Sequence, residues 1–144
     1  MMNKNELKTE LLLVSKYCSL ITQILNVHKQ LSVNKMIFFA FLLKNKDNYY
    51  KELYSANTDN DIVIKAISQI SGNYIEYCVN IKYIIEAIHL LIENKDIILQ
   101  NSILMCKNEG SFNNTYNNNF IKKAIDESNN FSDRQFLKEV LSNV

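Results

Sequence analysis

The alternation of apolar and polar positions predicts a helix that runs directly into a β-hairpin. Over residues 81–92 isoleucine and leucine recur at helical spacing, and the other side of this helix carries Glu86 and Glu93. Two short apolar runs follow at 97–99 and 103–106, joined by a polar segment at 100–102. A helix and a hairpin after earlier helices form the outline of a winged helix-turn-helix module.

In DNA-binding proteins of that outline, the helix before the hairpin enters the major groove. Here this helix carries Glu86, Glu93 and only one lysine, Lys82. Asn94 is predicted to end it in the left-handed conformation. The charges favour a protein-binding use of the module over DNA reading.

The first predicted helix, over 6–28, has a regular apolar seam. Its members follow a four-three alternation: Leu7, Leu11, Val14, Cys18, Ile21, Leu25 and His28. One interpretation is a helix packed on its own core. The other is an arm that lies in the groove of a partner or pairs with a second copy. On the second interpretation, the candidate partner-binding residues are Leu7, Leu11, Val14, Ile21 and Leu25.

The next segment is apolar on all sides over 36–43, which predicts a central, fully surrounded helix with Ser32 as its N-cap. A short helix is predicted over 49–53. Asp61 is a candidate cap for a further helix over 62–71. Residues 74–79 fit either a short strand or the start of the helix that follows.

Residues 108–119 are rich in asparagine and predict a mobile linker or a long loop. Helices are predicted over 120–127 and 132–144, the second with a Ser132/Gln135 capping box. One apolar face is expected on this last helix, made by Phe131, Phe136, Leu137, Val140 and Leu141. It either docks on the core or is captured by a partner.

Together these elements predict a mainly α fold, a helical domain with a winged-helix-like helix plus a short β-hairpin. The predicted organisation is a core over 1–110 that includes the amphipathic first helix, an Asn-rich loop over 111–119, and two helices over 120–144. The absence of proline and the presence of only two glycines among 144 residues agree with a helical fold.

Charge and residue types argue against several functional classes. The net charge is +1, and Arg134 is the only arginine, which disfavours bidentate reading of guanine. Residues 1–72 carry a balance of +3 and residues 73–144 a balance of −2, so the half with the hairpin is the more acidic. Weak contact of lysines with a nucleic-acid backbone stays open.

No catalytic, cofactor-binding or metal-binding motif is present in the sequence. The two histidines, His28 and His89, do not stand in a metal-ligand pattern, and His89 is expected on the surface. Three widely spaced cysteines predict small buried thiols in a reducing compartment. No signal peptide or membrane-length apolar run is found, which predicts a cytoplasmic protein without a membrane partner.

The order of elements resembles the small middle components of bacterial three-component ABC systems, the group that includes Lamassu-type anti-phage defence. The resemblance rests on the opening helix, the 31–35 entry to an apolar helix, the 84–92 helix with its hairpin, and the 132–137 segment. It implies a non-enzymatic adaptor without cofactors that joins an SMC/Rad50-like ATPase to an effector, often a nuclease.

Three functional hypotheses follow. The first is an adaptor subunit, for which Glu86, Glu93 and Phe136 join the seam residues as candidate partner contacts. The second is a winged-helix transcription regulator that binds DNA. The third is a small enzyme or effector, which needs a polar constellation assembled from distant positions. The absence of a recognisable site favours the adaptor.

Overall fold

A computed structural model describes residues 3–45, 59–107 and 115–142 of the chain, and it is mainly helical with one small sheet. The described elements, in chain order, are α1 (Lys4–His28), β1 (Gln30–Ser32), α2 (Val33–Lys44), α3 (Asp59–Ser68), α4 (Tyr74–Glu93), β2 (Ile97–Gln100), β3 (Ile103–Cys106), α5 (Asn119–Ser128) and α6 (Asp133–Ser142). The predicted short helix over 49–53 lies outside the described residues.

Helix α1 has two parts that differ in burial. A capping box starts it, because the Asn3 side chain accepts from the backbone N–H of Glu6 and the Glu6 carboxylate accepts from that of Asn3. Residues 3–9 are all exposed, and the buried face begins at Val14. The first turns of α1 therefore lie outside the core.

The sheet has the strand order β1–β3–β2, with both pairs antiparallel. A two-residue turn joins β2 to β3, and its residues Asn101 and Ser102 both have positive φ, as a type I′ turn requires. The backbone N–H of Val33 donates to the carbonyl of Ser102 at 3.0 Å. The tip of the hairpin is thereby tied to the start of α2.

Helix α2 is the centre of the fold. Every residue from 35 to 43 is buried, which confirms the prediction of a fully surrounded helix, and Ser32 is its N-cap. The Phe38 ring lies 6.0 Å from the ring of Tyr77 on α4 and 5.3 Å from that of Phe136 on α6, centroid to centroid. Helices α4 and α6 thus pack on the same central ring.

Several predicted boundaries change in the structure. Helix α3 begins at Asp59, so Asp61 lies inside it and is not its cap. Residues 74–79 are helical, since α4 starts at Tyr74. The left-handed residue after α4 is Lys95, with φ of 65°, whereas Asn94 keeps right-handed helical angles. The exposed thiol of Cys78 contradicts the expectation that all three cysteines are buried.

Helices α5 and α6 pack on the core. Residues 115–118 have no regular structure, yet the Tyr116 ring is buried against α1. The Ser132/Gln135 capping box is present at the start of α6, as predicted. Within the described ranges, no helix combines the length and the apolar character that crossing a membrane requires.

Candidate partner-binding surface

The outward side of α4 is the most extended exposed helix face in the described part of the chain. Its buried side consists of Tyr77, Asn80, Ile84, Ala87, Ile88 and Leu91. The residues opposite them are all exposed, namely Ile75, Val79, Lys82, Glu86, His89, Leu90 and Glu93. They repeat every three or four positions and so form one line along the helix. We call this line the α4 face.

The α4 face combines apolar and acidic side chains. Ile75 is 81% exposed, and Val79 and Leu90 are about half exposed. Glu86 and Glu93 lie on the face as the sequence predicts, and His89 is on the surface as expected. Ile75 and Val79 are adjacent on the face, and Leu90 stands about 16 Å further along it among the acids. Exposed apolar side chains bordered by polar ones are typical of protein-binding surfaces.

Helix α1 lies beside the α4 face, and a carboxylate on α1 pairs with the one lysine of that face. The Glu10 carboxylate is 4.0 Å from the Lys82 ammonium and accepts a hydrogen bond from the Tyr83 hydroxyl at 3.1 Å. Further along, the Tyr17 hydroxyl donates to the buried Asn80 side chain at 2.7 Å. With Lys82 paired in this way, Glu86 and Glu93 dominate the charge of the face.

The first turns of α1 add apolar side chains at this position. Leu7, which precedes Glu10, is 50% exposed, and Leu11, which follows it, is 62% exposed. They are the part of the predicted seam that stays accessible. Glu10, which lies between them in the sequence, is in contact with Lys82 and Tyr83, so the two leucines flank the point where α1 meets α4.

The structure buries the other candidate partner residues in the protein's own core. Ile21, Leu25 and Phe136 are fully buried, and Val14 is nearly so. All four belong to the hydrophobic core, which the seam of α1 reaches only from Val14 onward. These four residues are therefore core residues and not partner contacts as the sequence predicted. The other four candidates, Leu7, Leu11, Glu86 and Glu93, are on the surface.

A second exposed stripe, which sequence reasoning missed, lies on α6. Phe136 and Val140 are buried, but Leu137 and Leu141 are exposed, so the expectation of a single apolar face is wrong. The two leucines share the outward side of the helix with Arg134 and Lys138. We call these four residues the α6 stripe. The signal was present in the sequence, because the leucine pair is offset by one position, about 100°, from the buried pair.

A buried imidazole joins α1 to α5. The His28 side chain is 5% exposed, and its Nδ1 lies 3.0 Å from Oδ1 of Asp126. Since a carboxylate only accepts, Nδ1 carries the proton, and Nε2 accepts from the Tyr116 hydroxyl. Burial lowers the pKa of His28, and the Asp126 carboxylate opposes that shift. Burial also raises the pKa of Tyr116.

This His28 arrangement holds elements together and leaves no ring nitrogen for a substrate. Both nitrogens are engaged by groups of the chain itself, and the ring stands against the buried Tyr116 ring. A general base needs a nitrogen within reach of a substrate proton. The geometry therefore favours a structural role for His28.

A buried ammonium fixes the far end of α5. The Lys35 Nζ donates to the carbonyls of Ser128 at 2.8 Å and Phe131 at 2.7 Å. Burial lowers the pKa of this lysine, and nearby Asp133 opposes the shift. A cation at a helix C-terminus satisfies carbonyls that have no partner within the helix.

Within residues 3–45, 59–107 and 115–142, no group of three His, Cys, Asp or Glu side chains is placed to hold a metal ion. No family model matches the sequence, and the comparisons with curated proteins and with solved structures give no match either.

Proposed function

We propose that this protein is a non-enzymatic adaptor that binds a protein partner through the α4 face and the adjoining first turns of α1. The observation that carries the proposal is the composition of the α4 face. This face occupies the position of a recognition helix before a hairpin, yet it presents exposed apolar side chains with Glu86 and Glu93. A partner helix with apolar anchors flanked by Lys or Arg fits such a surface.

Leu7 and Leu11 supply the second half of the proposed interface. Desolvation of exposed apolar side chains drives association, and it does so best when several of them lie close together. Glu10 links the first turns of α1 to α4, so a partner on the α4 face meets these leucines as well. The acids then set the orientation of the partner more than its affinity.

The resemblance to middle components of three-component ABC systems supplies the expected partners. They are an SMC/Rad50-like ATPase and an effector nuclease, and the corresponding compartment is the cytoplasm of a bacterium. The adaptor proposal needs no catalytic residue, in agreement with the structural use of His28.

A DNA-binding regulator is the second candidate, and the order of elements favours it. Strand β1 pairs with β3 of the hairpin directly after α4, as in winged-helix modules. Two features count against it. The exposed side of α4 lacks the clustered cations that are needed to neutralise phosphates. In addition, the turn at Ser102 is hydrogen-bonded to Val33 and does not project from the domain as a wing would.

The test is recovery of the tagged full chain from its native host, with identification of bound proteins by mass spectrometry. We expect stoichiometric recovery with the wild type and loss of the partner with Leu11→Asp or with Glu86→Lys/Glu93→Lys. Glu127→Lys on α5 is the matched charge-reversal control and should retain the partner.

Two results would overturn the proposal. One is full partner recovery by both surface variants, each shown to be folded by circular dichroism. The other is a shift of labelled duplex DNA at moderate salt by a chain that recovers no protein, which would move the assignment to the regulator. Ile21→Asp is a fold control, because it places a charge in the core and should unfold the chain.

A further inference from the structure

The protein carries two exposed helix faces of opposite charge. The α4 face presents Leu90 between Glu86 and Glu93, and the α6 stripe presents Leu137 and Leu141 with Arg134 and Lys138. Leu141 is 63% exposed. Both faces lie on the side of their helix that points away from the core, and none of the residues that the structure describes covers either of them.

The two helices approach α2 from different directions. The Tyr77 ring on α4 packs on Phe38 and Phe41, whereas the Phe136 ring on α6 packs on Phe38 and Phe39. Both helices are thus anchored by an aromatic side chain in the same core. Their outward faces are held in place before any binding, which lowers the entropy cost of association.

We propose that the α6 stripe of a second copy of this chain covers the α4 face. Each face supplies what the other lacks, since two cations meet two carboxylates, and Leu137 and Leu141 meet Leu90. Arg134 and Lys138 are one helical turn apart, and their long side chains can reach carboxylates spaced like Glu86 and Glu93, about 10 Å apart along a helix.

The contact joins different surfaces of the two copies. When it forms once, each copy keeps one free face, so association either closes through a second, symmetric contact or continues beyond a dimer as the concentration rises. A single pair of short helices buries less surface than the roughly 1,200 Å² of stable complexes, so the contact is weak and reversible.

This inference rests on the proposed function, because it names one occupant of the partner-binding α4 face. Self-association shields Leu90 and its apolar neighbours while the adaptor is free. The partner then displaces the second copy from the same face. Binding of the partner and self-association are therefore mutually exclusive at each α4 face.

Sedimentation velocity of the purified full chain over a range of concentrations and salt tests the inference. We expect a mass that rises with concentration at low salt and falls back toward the monomer at high salt. Arg134→Glu/Lys138→Glu and Glu86→Lys/Glu93→Lys should each weaken the association by at least about tenfold, since like charges then face one another.

Combining both pairs of substitutions reverses both faces and should restore association to near the wild-type level. Lys123→Glu on α5 is the matched control outside both faces and should associate as the wild type does. All five exchanged side chains are exposed, and circular dichroism verifies that the variants fold.

A wild type that stays monomeric up to its solubility limit would overturn the inference, as would failure of the fourfold variant to restore association. Partner recovery separates the two proposals. Arg134→Glu/Lys138→Glu should weaken self-association and leave partner recovery intact. A wild type that recovers its partner but stays monomeric contradicts the self-association inference alone, whereas a wild type that self-associates but recovers no partner contradicts the proposed function alone.

Discussion

The buried His28 imidazole on α1 and the exposed Asp126 carboxylate on α5 form a hydrogen bond of 3.0 Å between residues that stand 98 positions apart in the sequence. The imidazole also accepts from the Tyr116 hydroxyl, so one side chain connects α1 to both the segment before α5 and α5 itself. Protonation of Nε2 removes its capacity to accept from Tyr116 and leaves the Nδ1 bond to Asp126 intact, so the contact of α1 with the segment before α5 depends on the protonation state of His28.

We expect the protein to lose stability when the pH falls below about 6.5. Burial sets the pKa of folded His28 below its ordinary value of 6.5, so the unfolded chain takes up the proton first. The stability that neutral His28 contributes is complete above pH 6.5. It is lost as the pH falls through the lower pKa that His28 has in the folded protein. Urea denaturation between pH 7.5 and 5.5 measures it.

The matched control uses the other histidine. His28→Gln should flatten the stability profile in this pH window, whereas the exposed His89→Gln should leave it as in the wild type. Identical profiles for wild type and His28→Gln would show that another group causes the acid sensitivity.

Lys35→Met should reduce the free energy of unfolding by about 1–3 kcal/mol, because it removes two charge-assisted hydrogen bonds to buried carbonyls. Methionine largely retains the packing of the lysine methylenes, so the loss of unfolding free energy measures the contribution of the ammonium group. Chemical denaturation measures it, with Lys16→Met on the exposed side of α1 as the control, expected to change stability by less than about 0.5 kcal/mol. A Lys35→Met protein as stable as the control would contradict the assignment.

Ser32 and Asp133 should be energetically coupled. The Ser32 hydroxyl accepts from the backbone N–H of Lys35 as the N-cap of α2 and donates to Oδ1 of Asp133 at 2.6 Å. Ser32→Ala should cost about 1–2 kcal/mol. A double-mutant cycle with Asp133→Ala should give a coupling energy of about 1 kcal/mol. Strict additivity would mean that the two groups do not interact in solution.

Phe136→Ala and Leu137→Ala should differ sharply in stability although they are adjacent. Phe136 is fully buried against Phe38, so its truncation should cost about 3–5 kcal/mol. Leu137 is 36% exposed and faces outward, so its truncation should cost only about 1 kcal/mol. Thermal unfolding of both variants tests this contrast, and equal losses would place Leu137 in the core.

Structural features that depend on residues close together in the sequence could be predicted from it. The Ser132/Gln135 capping box, the Ser32 cap and the hairpin after α4 all follow from spacings of a few residues. The exposed positions of Glu86 and Glu93 follow from helical periodicity alone.

Structural features that depend on residues far apart in the sequence could not be predicted from it. Nothing near Lys35 in the sequence indicates a buried ammonium, because its partners Ser128 and Phe131 lie more than ninety residues away. The seam of α1 gives no sign of where the core begins, so its periodicity does not separate the exposed Leu11 from the buried Ile21.

The packing of Phe136 on Phe38 has a consequence for synthesis. The two residues are 98 positions apart, so the ribosome makes Phe38 about 5–20 s before its partner. During that interval α2, the most apolar of the helices that the structure describes, exists without the aromatic side chain that completes its surroundings. Chaperones that recognise exposed phenylalanine therefore have a defined period in which to bind α2.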